Sequence, residues 1–163
     1  MFRDVSVVVG LGSCAVVLFL VGCSAAPSQS RQEHIHHVGH TVMPFTLDGT
    51  RHIFRMTETG GVQQVIVKDS SESGQIPLIR QHLEREAALF ERGDFSDPAA
   101  LHGAGMPGLA ELRAGASRIK VTYTALPSGA EIRYEASDIQ LITAIHRWFG
   151  AQLSEHGADA VAE

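Results

Sequence analysis

Two stretches of helical periodicity, each preceded by a pair of alternating runs, constrain this fold more than any other feature of the 163-residue chain. The first pair is HIFRMTET and VQQVIVKD, separated by Gly60-Gly61, a two-residue break that reads as a hairpin turn. Residues 75–92 follow with Ile76, Ile79, Leu83, Ala87 and Phe90 on one helical face, Ser71 or Ser73 as candidate cap and Gly93 as stop. The second pair runs over residues 118–125 and 131–136 around Leu126-Pro127-Ser128-Gly129. A helix from Ser137 or Asp138 to about Glu155 follows it, with Gly157 beyond. The connection between the halves, residues 94–115, holds signals for two short helices, Asp97-Pro98 and Pro107. Two ββα units in one chain predict an α+β domain: an antiparallel sheet from two ββα-like halves, helices packed on one face. Overlaying the halves places His82 on His146 and Leu78 on Ile142.

Outside this core the reading is less regular. Residues 41–48, TVMPFTLD, alternate and predict a leading strand, so the domain is expected over 41–157 with 158–163 as a tail. Residues 24–33, SAAPSQSRQE, are small and polar and read as a tether, which the HIHHVGH run extends to residue 40. A net charge of −5 argues against a nucleic-acid partner, which needs a basic face to neutralise phosphates.

Nine histidines are the compositional oddity. His34, His36, His37 and His40 fall within seven residues, and either an extended chain or a helix brings two of these imidazoles toward one metal ion. His102 and Met106 sit in HGAGMPG, whose glycines let the backbone fold both side chains toward one point. Imidazole with thioether suits copper before zinc. His146 shares the apolar stripe of the last helix with Ile142 and Phe149, and His156 extends that side. His82 flanks its own stripe, and His52 opens the first hairpin strand. These are core histidines with a hydrogen-bond partner, or ligands, with His82 and His146 converging if the repeat is real. One core imidazole would also suffice for a haem. Enzyme signatures are absent: no GxSxG, P-loop, dinucleotide fingerprint or HExxH occurs.

Residues 5–20 form an apolar run that is short for a membrane span, and it ends in Leu20-Val21-Gly22-Cys23 followed by Ser24-Ala25-Ala26. This resembles the lipobox of bacterial lipoproteins. The resemblance implies a signal peptide over 1–22, lipidation of Cys23 as the new N-terminus, and export to the cell envelope, with Ser24 matching lipoproteins sent to the outer membrane. Cys14 would leave with the signal peptide, so no free thiol would remain for disulfides, thiolate sites or nucleophilic catalysis. The run from His52 onward, with GTRHIF and GGVQQVIVKD, IRQHLEREA and FERGDFSDPAALHGAGMPGL, and LPSGAEIRY and HRWFGAQLSEHG as its recognisable pieces, resembles a family of small exported bacterial proteins without an assigned function. Some of its members are labelled aspartate carbamoyltransferases. This chain lacks the Ser-Thr-x-Thr turn and the length of those enzymes, so the resemblance implies no catalytic residue. The expectation is a non-catalytic, membrane-anchored lipoprotein that binds copper or zinc through His and Met. Its partners would be the membrane and a metal donor or acceptor. An envelope interaction protein with incidental histidines is the alternative, and a haem or small-ligand binder a further one.

Overall fold

The computed structural model describes residues 27–163. The segment expected to be a signal peptide, with Cys14, and the expected lipidation site Cys23 therefore lie outside the described residues. Among these no helix is long and apolar enough to cross a membrane.

The two ββα halves form. Strands β1 (Thr50–Thr57) and β2 (Gly60–Val67) are followed by α2 (Ile76–Glu91), and β3 (Lys120–Leu126) and β4 (Gly129–Glu135) by α5 (Ile139–His156). Helix α1 (Pro27–Gly39) precedes them, α3 (Ser96–His102) and α4 (Leu109–Gly115) bridge them, and β5 (Ala160–Ala162) closes the chain. The sheet order is β3-β4-β2-β1-β5, antiparallel except for the parallel β1–β5 pair. The two hairpins thus meet along β2 and β4 with β1 and β3 flanking them, an arrangement close to two-fold symmetric. Each helix crosses to the other half: α2 lies mainly on β3 and β4, α5 on β2 and β1.

Both helices cover one face of the sheet. Alternate residues of β4, Ala130, Ile132 and Tyr134, are buried toward them, as period-two geometry requires. Tyr134 packs edge-on against Trp148 and Phe149, with ring centroids 5.4 and 5.7 Å apart, and tilted against Phe90 at 6.2 Å. The opposite face carries Arg51, Arg55, Glu131 and Arg133, with Gln64 donating to Glu131 at 2.7 Å. An antiparallel sheet tolerates one solvated face. Close approach requires glycine at positions that include Gly129 and Gly61. A Cβ on Gly129 would sit 1.9 Å from the Val65 carbonyl oxygen, and one on Gly61 would sit 2.4 Å from the Phe149 ring.

The chain ends differ from the sequence-based expectation. Residues 27–39, expected as tether, are helix α1, because Ile35 inserts fully into the core and Val38 packs beside it. Residues 41–48 make no strand. Met43, Phe45 and Leu47 are buried in alternation, so the pattern is real, but the segment runs as turns with no ladder partner. Residues 158–163, expected as a tail, supply β5, which pairs with His52, Ile53 and Phe54 of β1. The first hairpin turns at Glu58-Thr59, with Gly60 already paired to Thr57, two residues before the expected break. Asp138 caps α5 through the Gln140 amide, whereas α2 starts from a 3₁₀ turn capped by Asp69.

Candidate functional site: a buried histidine cavity

Three histidines from three distant parts of the chain meet under α1. His52 lies on the helix-covered face of β1 between Phe45 and Phe54, with ring centroids 6.1 and 6.4 Å away. His156, the last residue of α5, stacks on His52 at 4.7 Å and 21°. His102, the last residue of α3, meets His156 edge-on at 5.1 Å. All three are buried. Sequence reading could not join them, since each is about fifty residues from the next. For His156 it favours a satisfied core histidine on the apolar side of the last helix, whereas its Nδ1 is buried without a partner.

Their protonation follows from burial. Desolvation, then the nearby charges of His82, His102 and Lys68, lowers His52 to about 3. Burial, then His52 and His102, takes His156 well below the usual histidine value. Burial also lowers His102, against the pull of Glu155. His82 is brought to about 4 by burial and by Arg85, opposed by Asp97. All four imidazoles are therefore neutral near pH 7, the form that donates a lone pair.

The hydrogen bonds divide the three. His102 Nδ1 donates to Glu155 Oε2 at 2.7 Å, because a carboxylate accepts. That fixes the tautomer, the carboxylate–histidine arrangement common behind metal ligands, while Gln152 also hydrogen-bonds to the ring. Glu155 is held in turn by Arg31 of α1, at 3.1 Å. His52 Nδ1 and His156 Nδ1 have no partner.

These side chains line a small, partly open cavity of about 50 Å³, together with Met43, Glu86, Asp97, Gln152 and Trp148. Among the described residues, the buried side-chain polar atoms without a hydrogen bond are His52 Nδ1, His156 Nδ1, Glu86 Oε1 and Trp148 Nε1. All four belong to residues lining this one cavity. Buried polar groups ordinarily find partners, so four unmet groups around one small space mark it as built for a polar occupant. Glu86 Oε1 lies 3.1 Å from Arg85 Nη2, a Coulombic approach outside hydrogen-bond geometry. Burial, then the hydrogen bond and charge of Asp97, raises Glu86 to about 8 against the pull of Arg85, so its carboxyl stays protonated at neutral pH.

The other sequence candidates separate. His36 pairs with Asp48 at 3.1 Å, while His37 and His40 meet edge-on at 6.3 Å on the exposed side of α1 and the turn after it. His34 is exposed, so the four do not form one site. Met106 is buried in the apolar core and does not line the cavity that His102 faces. The thioether there is that of Met43, which sequence reading missed. His146 donates from Nε2 to the carbonyls of Thr57 and Gly60, at 3.0 and 2.8 Å, and so holds the first hairpin turn. His82 packs edge-on against Phe45 at 5.6 Å, so the two helical histidines share no partner.

Among the described residues, no group of three or more His, Cys, Asp or Glu side chains is arranged to hold a metal ion. The His52 and His156 rings are stacked, and the χ2 torsion that would reorient either ring is a soft one. Comparison with protein-family models, curated proteins and solved structures returned no match.

Proposed function

We propose that this chain is a membrane-anchored extracytoplasmic lipoprotein that binds one transition-metal ion, copper before zinc, in the buried histidine cavity. The observation that carries the reading is the pair of unpartnered Nδ1 atoms on His52 and His156, facing one cavity with a third imidazole pre-oriented by Glu155. In this reading the His52 and His156 nitrogens are neutral donors, His102 stands beside them, and the Met43 thioether adds a soft donor that favours Cu(I). Binding turns one of the stacked rings. The cavity is far smaller than the ~300 Å³ or more that an organic ligand or haem occupies, which favours an ion over the larger ligands. The lipid anchor rests on the lipobox resemblance around Cys23, and no reaction is assigned.

The test is thermal unfolding of the purified chain in detergent with one equivalent of Cu(I), Cu(II) or Zn(II). A ligand that binds only the folded state raises Tm by mass action. The expected result is a rise with copper that exceeds the rise with zinc and is lost in His156→Asn. No rise with any of these ions overturns the reading and leaves an envelope interaction protein with structural histidines.

A further inference from the structure

The two halves of the sheet end in equivalent outer strands, β1 and β3, and only one of these edges is covered. β5 pairs with His52, Ile53 and Phe54 along the outer edge of β1. Among the described residues no strand lies beside the outer edge of β3. The ladder decides which groups that edge leaves unpaired. Val67 donates to the Ser128 carbonyl at 2.9 Å across β2 and β4, so by antiparallel alternation Gly129 and every second residue after it bond β3 instead. Their partners Leu126, Thr124, Thr122 and Lys120 point inward. The N–H and C=O groups of Val121, Tyr123 and Ala125 therefore face outward.

Nothing blunts this edge. β3 keeps an unbroken register with β4, has no proline, glycine or bulge, and carries one charge, Lys120, at its start. An edge without such protection is a template for another strand. A second copy of β3 matches it. Antiparallel self-pairing about Tyr123 sets Val121 opposite Ala125 and Tyr123 opposite itself, each pair exchanging two hydrogen bonds, so every outward group is satisfied. It also holds the two Lys120 side chains at opposite ends, away from like charge. Helix α2 fits the same pairing. It lies on β3 and β4 alike. With strands about 4.8 Å apart, the two copies of α2 would run about 10 Å apart, a spacing at which helices pack. The α2 charges beside Tyr123 are Glu84, which with burial raises the hydroxyl pKa, and Arg80, which opposes it. A two-fold axis at Tyr123 reverses their order across the interface and turns each Arg80 toward Glu84 of the other copy.

We propose that this chain forms a two-fold dimer through the outer edge of β3, joining two five-stranded sheets into one continuous sheet. The dimer does not depend on the metal reading of the cavity.

The test is sedimentation equilibrium of the full chain in density-matched detergent, at several protein-to-detergent ratios so that chance sharing of a micelle is told apart. Expected is a wild-type species of twice the chain mass that dissociates on dilution. Ala125→Pro removes an outward N–H and no ladder bond within the chain. It should weaken the dimer about ten-fold or more, with circular dichroism and thermal unfolding showing an intact fold. Charge variants decide the matter if the proline perturbs folding. The pairing sets Thr122 opposite Thr124 of the other copy, so Thr122→Lys/Thr124→Lys should separate the copies and Thr122→Glu/Thr124→Lys should hold them together. A wild type of single-chain mass at every concentration overturns the proposal and leaves the edge to an extended segment of another protein. A dimer that the double-lysine variant leaves intact overturns it too, because the interface then lies elsewhere.

Discussion

Lowering the pH from 7 to 5 should unfold this domain in its metal-free state far more readily than its carboxylates alone would dictate. Burial holds His52 at about 3, His82 at about 4 and His156 well below the ordinary histidine value of 6.5. Below pH 6.5 the unfolded chain takes up protons at these positions that the folded chain refuses. Their contribution to stability is thus complete above 6.5 and is lost as pH falls toward the folded values. At pH 5 His52 and His82 cost about 2 kcal/mol each, about 4 kcal/mol together, and His156 acts in the same direction. Glu86 works in the opposite direction. Its carboxyl binds a proton up to about 8 when folded and only to 4.5 when unfolded, so it regains about 3 kcal/mol over the same interval. The net is a loss of roughly 1 kcal/mol to which His156 adds, a perceptible fraction of the stability of a small domain. Urea unfolding followed by Trp148 fluorescence at the two pH values measures it directly, as a fall in Cm at constant m. His156→Asn, with one titrating group fewer, should lose less between the two pH values. Stability that is flat or rises from pH 7 to 5 refutes the assignment of these histidines as buried and neutral.

Other perturbations separate architecture from binding. Met43→Leu conserves volume and should cost less than about 1.5 kcal/mol in urea unfolding. It should narrow the preference for Cu(I) over Zn(II) in competition titrations, because the thioether favours only the softer ion. Glu155→Gln keeps the shape but frees the His102 tautomer, and metal titration should show affinity falling about 10–100-fold. Gly129→Ala drives a methyl into the Val65 carbonyl, and thermal unfolding should show a loss of Tm larger than that of Met43→Leu.

The two ββα halves were legible because period-two and period-3.6 burial is written locally, and α2 and α5 fall almost where the apolar spacing puts them. Three features escaped for identifiable reasons. Helix α1 presents only Ile35 and Val38 as apolar anchors between polar residues, too few to show a stripe, and its docking depends on contacts made far along the chain. The 41–48 segment alternates because Met43, Phe45 and Leu47 dip into the core, a pattern that mimics a strand without one. The Gly60-Gly61 pair resembled a turn, yet Gly61 sits in β2 to leave room for the Phe149 ring. The cavity is a tertiary object. His52, His102 and His156 join only when β1, α3 and α5 converge, and the locally conspicuous His34–His40 cluster and His102–Met106 pair drew attention instead.

The most direct test of the central claim is isothermal titration of the purified chain with Cu(I) under reductant, beside the His52→Asn/His156→Asn double variant. The account predicts one tight equivalent for the wild type and its loss in the double variant. Equal binding by both, or binding by neither, contradicts it.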